Sequence, residues 1–154
     1  MVFSLPVSLL CYWRNNTCPH ELLKTNMTNP AMPEQNNTRA ILITGCSSGI
    51  GRCVAQGLKQ RGYRVFATAR QFEDVSRLID LGLESLQLDL NNSDSINLAV
   101  DEILSRTNGQ LFALFNNGAY SQIGAVEDLS RDALRAQFET NFFGWHELTC
   151  RILP

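Results

Sequence analysis

Three glycines in the spacing G-x-x-x-G-x-G, Gly45, Gly49 and Gly51, give the clearest indication of chemistry in this 154-residue chain. They lie where a loop enters a helix, and the first backbone N–H groups of a helix are unpaired at the positive end of its dipole. Glycine leaves room for a diphosphate to approach that backbone, and Ser47 and Ser48 add hydroxyl donors. The pattern predicts a phosphate-binding loop, and a glycine-rich turn without a ligand is the alternative.

Three polar side chains further along could belong to the same site. Arg70 follows the glycines by about twenty residues, where an arginine can pair with a ribose 2′-phosphate; a solvated arginine is the alternative. Asp89 ends an apolar run, where ligands of open α/β sheets bind, although it could instead cap the next helix through Asn92 and Ser93. Asn141 interrupts an apolar helix face and needs a partner there, which could be nearby backbone.

Alternating strand and helix patterns position these side chains. Apolar runs predict strands over residues 41–44, 63–68, 86–90 and 111–115, and apolar residues at three- and four-residue steps predict a helix after each. Runs that are apolar on both faces are typical of a parallel sheet. The prediction is an α/β fold, the βαβαβαβα half of a Rossmann-like, doubly wound parallel sheet with strand order 3-2-1-4.

The amino-terminal stretch does not show this pattern. Residues 2–13 are mostly apolar but too few to span a bilayer, and Asn, Thr and Pro then dominate up to residue 38. We therefore predict a flexible extension over residues 1–38. Met27 and Met32 are alternative starting points of the protein.

Composition limits the classes of partner. A formal charge of −2 gives no electrostatic case for binding nucleic acid or an anionic membrane. The five cysteines include no C-x-x-C pair, which favours reduced thiols and a cytoplasmic protein. No metal site is predicted, because neither His20 nor His146 has a second ligand at helical or loop spacing.

The segment from Thr44 to Gly51, with its Gly49-Ile50-Gly51 end, resembles the cofactor loop of the short-chain dehydrogenases/reductases (SDRs). Its Cys46-Ser47-Ser48 filling is similar to a subset that includes 17β-hydroxysteroid dehydrogenases, retinol dehydrogenases and bacterial aldehyde reductases. The resemblance covers residues 39–154 and implies an NADP-binding half domain of an oxidoreductase acting on a carbonyl or alcohol. It also implies a homo-oligomer at full length.

The resemblance assigns roles to single residues. It implies that Asp89 accepts a hydrogen bond from the adenine amino group and that Asn141, in Asn-x-x-Gly, holds a water in a proton relay. The family usually has Asn-Asn-Ala-Gly where this chain has the last two residues swapped, and Ala119 loses the positive-φ freedom of glycine. The predicted cofactor-binding residues are Gly45, Ser47, Ser48, Gly49, Ile50, Gly51, Arg70, Asp89, Leu90, Asn117, Gly118 and Ala119.

The Tyr-x-x-x-Lys pair and the serine that the resemblance implies for catalysis do not occur in the expected place in the 154 residues. We therefore expect this chain to be inactive alone, as a fragment or frameshifted product. A non-catalytic dinucleotide-binding or partner-binding module, or a non-functional remnant, is the alternative. We also expect the 111–115 strand to expose an unpaired edge, which favours aggregation.

Overall fold

The computed structural model describes Val2–Phe3 and residues 39–153, which form one parallel sheet with helices on both faces. The sheet order is β1-β5-β2-β3-β4. The four strands after residue 39 therefore follow the predicted order 3-2-1-4, which is confirmed. The strands are β1 Val2–Phe3, β2 Ala40–Ile43, β3 Arg64–Ala69, β4 Glu84–Gln87 and β5 Ala113–Phe115.

Helices connect successive strands from β2 to β5 and continue beyond β5. A π-helical segment separates the last two α-helices, so that residues 131–152 form one nearly continuous rod. The helices are α1 Gly49–Gln60, α2 Phe72–Asp80, α3 Ser93–Arg106, a 3₁₀ turn Val126–Asp128, α4 Arg131–Phe138, the π-helix Glu139–Phe143 and α5 Gly144–Ile152. None of the helices within residues 39–153 is long and apolar enough to cross a membrane.

The two-residue period of β2 divides the core between the faces of the sheet. Leu42 is fully buried in a cluster with side chains of α3 and α5, whereas Ile43 is fully buried in a second cluster with side chains of α1 and α2. Successive side chains of a strand point to opposite faces, so an apolar run buries both. The same strand thereby fixes both helical layers, and the loop after it starts from a rigid point.

Two strand positions differ from the sequence-based prediction. The third predicted strand covers residues 86–90, but β4 ends at Gln87, and Leu88 N adds one more hydrogen bond to Ala69 O at 3.0 Å. Asp89 and Leu90 therefore lie in the turn after the strand. The fourth predicted strand begins at residue 111, whereas β5 begins at Ala113. Burial continues past the end of β4, at Leu88 and Leu90, whereas Phe112 before β5 is 49% exposed and its N–H still donates to Ala40 O at 2.8 Å.

The outer edge of β5 is paired, contrary to expectation. Val2 lies opposite Leu114 and Phe3 opposite Phe115 in parallel register. The amino-terminal segment thus supplies a fifth strand that composition did not predict, because strand pairing over more than a hundred residues leaves no local pattern. Apart from Val2–Phe3, the predicted flexible extension lies outside the described residues, as do the alternative starts at Met27 and Met32.

Candidate functional site

The carboxyl ends of β2, β3, β4 and β5 surround a cavity of about 210 Å³. It brings together seven of the predicted cofactor residues: Gly45, Ser47, Arg70, Asp89, Leu90, Gly118 and Ala119. Ser48, Gly49, Ile50, Gly51, Asn117 and Asn141 are predicted site residues that do not line it. The sequence analysis missed six lining residues: Thr44, Gln71, Asp74, Leu88, Tyr120 and Thr140.

The glycine loop is built for close approach. Gly45 has φ +67° and Gly49 φ +58°, a region that residues with a Cβ rarely adopt. A Cβ on Gly45 would collide with the Cα of Gly118 and come within 2.9 Å of its nitrogen. A Cβ on Gly51 would collide with the backbone oxygen of Gly45. These glycines let two loops and the start of α1 meet, which accounts for their spacing even without a ligand.

The amino terminus of α1 offers donors to an anion. Its N-cap residue, Ser48, is extended and makes no side-chain capping hydrogen bond, and the first turn contains no acidic residue. The positive end of the helix dipole is therefore not neutralised by the chain's own side chains. Ser47 lies beside it in the cavity wall. This arrangement fits the diphosphate of a dinucleotide.

Thr44 joins the glycine loop to the turn after β5. Its Oγ1 accepts hydrogen bonds from the backbone N–H groups of Asn117 at 2.9 Å and Gly118 at 2.8 Å. In return, Asn117 Nδ2 donates to the carbonyl oxygens of Thr44 and Gly45, each at 3.0 Å. The Asn117 side chain thus braces the loop from behind and does not point its amide into the cavity.

The swapped Gly118-Ala119 pair adopts no left-handed conformation. Among the described residues, Asn108 is the one non-glycine residue with positive φ, and Gly118 is not among the positive-φ glycines. Neither position therefore needs the positive-φ freedom that Ala119 lacks. Gly118 matters for space, because a Cβ there would lie 3.1 Å from Gly45 N and 3.3 Å from Thr44 Oγ1. The swap therefore places the glycine at the crowded position.

Arg70 is exposed at the end of β3 and lines the cavity. Its carbonyl oxygen accepts a hydrogen bond from Gln87 Nε2 at 2.9 Å, which fixes the backbone. Within residues 39–153 its guanidinium forms no ion pair. The acid in the same wall, Asp74, is paired with Arg77 at 2.8 Å. A free guanidinium at this place fits a phosphate.

Asp89 is not the cap of α3. The N-cap is Asn92, whose Oδ1 accepts from Ser95 N at 3.0 Å. Asp89 Oδ1 accepts from Asn91 N at 3.0 Å, and the described residues provide no hydrogen bond to Oδ2. The carboxylate therefore keeps an open acceptor at the cavity wall, which suits an amino group of a ligand.

Asn141 lies in the π-helix and contacts the turn after β5. Its Nδ2 donates to Tyr120 O at 2.7 Å, and its Oδ1 accepts from Tyr120 N at 3.2 Å. The amide that seemed out of place on an apolar face is thus satisfied by backbone, the alternative left open from the sequence. π-Helical turns inside α-helices often occur at functional sites.

Further contacts seat the last helix on the same turn. Trp145 Nε1 donates to Gly118 O at 2.7 Å, and Asn116 Nδ2 donates to Thr149 Oγ1 at 3.1 Å. Gly144 lets the helix touch the backbone of Leu90, since a Cβ would come within 2.9 Å of the Leu90 carbonyl carbon. The sequence signal for this contact was the Asn-x-x-Gly motif. Both of its residues are needed for packing, since Asn141 bonds the backbone of Tyr120 and Gly144 lets the helix approach Leu90.

The cysteines of the site region offer no nucleophile. Burial raises the pKa of Cys46 to about 12, although a backbone hydrogen bond at Thr68 opposes the rise. Its Sγ donates to Ile43 O at 3.3 Å. Cys46 and Cys150 are free, whereas Cys53 is disulfide-bonded, so the expectation of reduced thiols is wrong at Cys53. No cluster of three metal-ligating side chains occurs in the described part of the chain.

Comparison with known proteins gives a consistent picture. The sequence profile described as short chain dehydrogenase matches residues 39–154. The uncharacterized oxidoreductase YbbO of Escherichia coli is 40% identical over 116 residues, which are 75% of this chain and 43% of that protein. The NADPH-dependent 1-acyldihydroxyacetone phosphate reductase of Schizosaccharomyces pombe is 38% identical over 105 residues, 68% of this chain and 36% of that protein.

Solved structures share the fold. A short-chain dehydrogenase from Streptomyces avermitilis superposes with a TM-score of 0.72 at 32% identity, covering 78% of this chain and 44% of its own. A variant of actinorhodin polyketide ketoreductase with NADPH gives a TM-score of 0.69 at 29% identity, covering 77% and 48%. The chain spans less than half the length of these relatives.

Proposed function

Because the chain belongs to the short-chain dehydrogenase family, we propose that it forms the NADP(H)-binding half of an oxidoreductase. The whole protein would transfer hydride between the nicotinamide and a small carbonyl or alcohol substrate. The observation that supports this proposal is the single cavity in which the glycine loop, Arg70 and Asp89 meet. Bound there, NADP(H) would supply the hydride, and the residues of the chain would bind and orient it.

Each part of the cavity suits one part of the dinucleotide. The diphosphate would lie at the amino terminus of α1, beside Ser47, where the N–H groups lack a side-chain cap. The 2′-phosphate would pair with the guanidinium of Arg70, which has no acidic partner in the described residues. The adenine amino group would donate to the open oxygen of Asp89.

For Asn141 we propose the role that the family resemblance implies, holding a water in a proton relay. Its amide nitrogen and oxygen both already bond Tyr120, but Oδ1 has a second lone pair that can accept a hydrogen bond from a water. A homo-oligomeric state and a cytoplasmic location remain predictions for the whole protein. The two NADPH-linked names among the relatives favour NADP over NAD.

Titration of NADPH and NADH into the purified chain tests the proposal. We expect tighter binding of NADPH, and loss or reversal of that preference in Arg70→Asp, since a charge-assisted pair is worth about 1.5–3 kcal/mol, or roughly 10- to 150-fold in Kd. Arg61→Asp is the matched control, because Arg61 ends α1 at its opposite terminus. No binding of either dinucleotide by the wild-type chain would contradict the proposal. Equal preference in wild type and Arg70→Asp would refute the role of Arg70.

A non-catalytic dinucleotide-binding or partner-binding module is the second candidate. It is stated for the 154 residues alone, which contain no Tyr-x-x-x-Lys. Both candidates predict NADPH binding and differ in turnover. A transcript that continues the reading frame into a Tyr-x-x-x-Lys segment would favour the oxidoreductase.

A further inference from the structure

Tyr120 is a cavity-lining residue that neither the sequence pattern nor the proposed cofactor contacts explain. Although it lies in a loop, side-chain hydrogen bonds hold its backbone in place. The N–H donates to Asn141 Oδ1 at 3.2 Å, and the carbonyl oxygen accepts from Asn141 Nδ2 at 2.7 Å and from Gln137 Nε2 at 3.1 Å. Three hydrogen bonds from two helical segments thus fix where the side chain begins.

The side chain of Tyr120, in contrast, has no partner within residues 39–153. Its ring stacks on no other aromatic ring there, and its hydroxyl group makes no hydrogen bond to them. The residue is 38% exposed. Tyr120 thus combines a fixed backbone with an unpartnered aromatic ring at the cavity. Such a ring can pack on a flat ligand, and its backbone needs no further ordering when the ligand binds.

The wall beside Tyr120 is held in the same way. Thr140 lines the cavity and its Oγ1 donates to Asn91 Oδ1 at 2.6 Å, which joins the π-helix to the turn that carries Asp89. Tyr120, Asp89 and Arg70 all line one cavity of about 210 Å³.

We infer that Tyr120 is a ligand-contacting residue whose ring packs against the adenosine half of the bound nucleotide. This inference rests on the proposed function, because Arg70 and Asp89 identify that half. The contact is made by the face of the ring, so its strength depends on the base and not on the 2′-phosphate. Stacking of a base on an aromatic side chain strengthens binding about 5- to 150-fold.

Two probes separate the base from the 2′-phosphate: adenosine 5′-monophosphate and adenosine 2′,5′-bisphosphate. We expect Tyr120→Ala to weaken both by the same factor, about tenfold. Tyr120→Phe should retain both affinities, because it keeps the ring. Arg70→Ala should weaken the bisphosphate alone. Ile123→Ala is the matched control, since Ile123 is in the same loop, is 88% exposed and does not line the cavity.

Dissociation constants from NMR titration of the full 154-residue chain give these factors, and the dispersion of the amide spectrum reports that each variant is folded. Unchanged affinity in a folded Tyr120→Ala overturns the inference and leaves the proposed function intact. If Tyr120→Ala does not fold, a Tyr120→Leu variant that binds as tightly as Tyr120→Phe overturns it equally. Failure of the wild-type chain to bind either probe overturns the inference together with the proposed function.

Discussion

The side-chain amide of Asn141 pairs with the peptide backbone of Tyr120 through both of its polar groups, at 2.7 and 3.2 Å. The two residues are 21 positions apart, one in the π-helix and one in the loop after β5. The pair converts an exposed loop into a fixed wall of the cavity. Its loss would therefore affect stability before it affects any chemistry.

Replacement of Asn141 by Ala should lower the free energy of unfolding by about 0.5–1.5 kcal/mol, because it leaves the Tyr120 N–H without its partner and the Tyr120 C=O with Gln137 alone. Urea unfolding followed by circular dichroism measures the change. Gln137→Ala is the comparison, since Gln137 also makes two side-chain hydrogen bonds to backbone, with Tyr120 O and Gln122 N. A fall no larger than that of Gln137→Ala would contradict a special role of the pair.

Thr44→Val should destabilise the fold more than Thr68→Val. Thr44 Oγ1 accepts from two backbone N–H groups, and each buried donor left unpaired costs about 1–3 kcal/mol. Thr68 is equally buried, but its Oγ1 makes one hydrogen bond, to Ile43 O at 3.3 Å. Chemical denaturation of both variants gives the comparison, and Thr44→Ser should restore most of the loss. Equal effects in the two valine variants would show that the loop-to-loop contact is weak.

The pair of Arg64 and Glu84 should make stability fall in acid. Two hydrogen bonds from Arg64, at 2.6 and 2.9 Å, and then the charges of Arg64 and Arg106, lower the pKa of Glu84 below its usual 4.5 against the opposing effect of burial. A carboxylate with a lowered pKa stabilises the folded state above its unfolded pKa, and that stabilisation is lost as the pH falls through the folded pKa. Wild type should therefore lose more stability in acid than Glu84→Gln.

The expected difference is small. The Glu84 side chain is 37% exposed, so solvent screens the pair and limits its contribution to about 1 kcal/mol or less. Urea midpoints of wild type and Glu84→Gln, compared at about pH 7 and about pH 3, measure it. Parallel pH profiles of the two proteins would show that the pair does not contribute. Asp132→Asn is the control, because Asp132 also pairs with an arginine, Arg135, but its side chain is 90% exposed.

Removal of residues 1–31 should expose the edge of β5 and promote self-association. The deletion takes away Val2–Phe3, which pair with Leu114 and Phe115. Unpaired strand edges without charge or proline are templates for aggregation. Sedimentation velocity at micromolar concentration, with dye binding, compares the two forms. An unchanged monomer after deletion would agree with the predicted flexible extension and contradict the role given to β1.

The 154-residue chain should show no NADPH-dependent turnover of aldehydes or ketones. Its three tyrosines, Tyr12, Tyr63 and Tyr120, have no lysine four residues later. A tyrosine needs a neighbouring positive charge to act as an acid near neutral pH. Spectrophotometric assays at high enzyme concentration check this. Turnover that follows the homogeneous chain, and is lost in folded Asn141→Ala, would contradict it.

The sequence predicted those features that depend on local pattern. The apolar run through Leu42 and Ile43 marks the strand that both core clusters share, and burial on both faces indicates a parallel sheet. The glycine spacing located the loop because Gly45 and Gly49 need positive φ. Local pattern carries this information since each signal lies within a few residues.

The rest depends on contacts distant in the chain. Strand β4 begins at Glu84, whose side chain pairs with Arg64 on the neighbouring strand β3. This contact fixes the register of β4, and no apolar periodicity marks it. Tyr120 looked like an ordinary loop residue because its partner, Asn141, is on another element. Asn117 was predicted to bind the cofactor, and its side-chain amide braces the glycine loop from behind. Its role in cofactor binding remains a prediction.

The double acceptor role of Thr44 has a consequence for folding kinetics. Its partners Asn117 and Gly118 are 73 and 74 residues away, so the cavity exists only after β2 and β5 have docked. Contacts of such long sequence separation form late, because closing a large loop is entropically unfavourable before other contacts compensate. A nucleotide that binds the finished cavity would then slow unfolding and leave the refolding rate unchanged. The ligand would therefore prolong the lifetime of the folded state without speeding its formation.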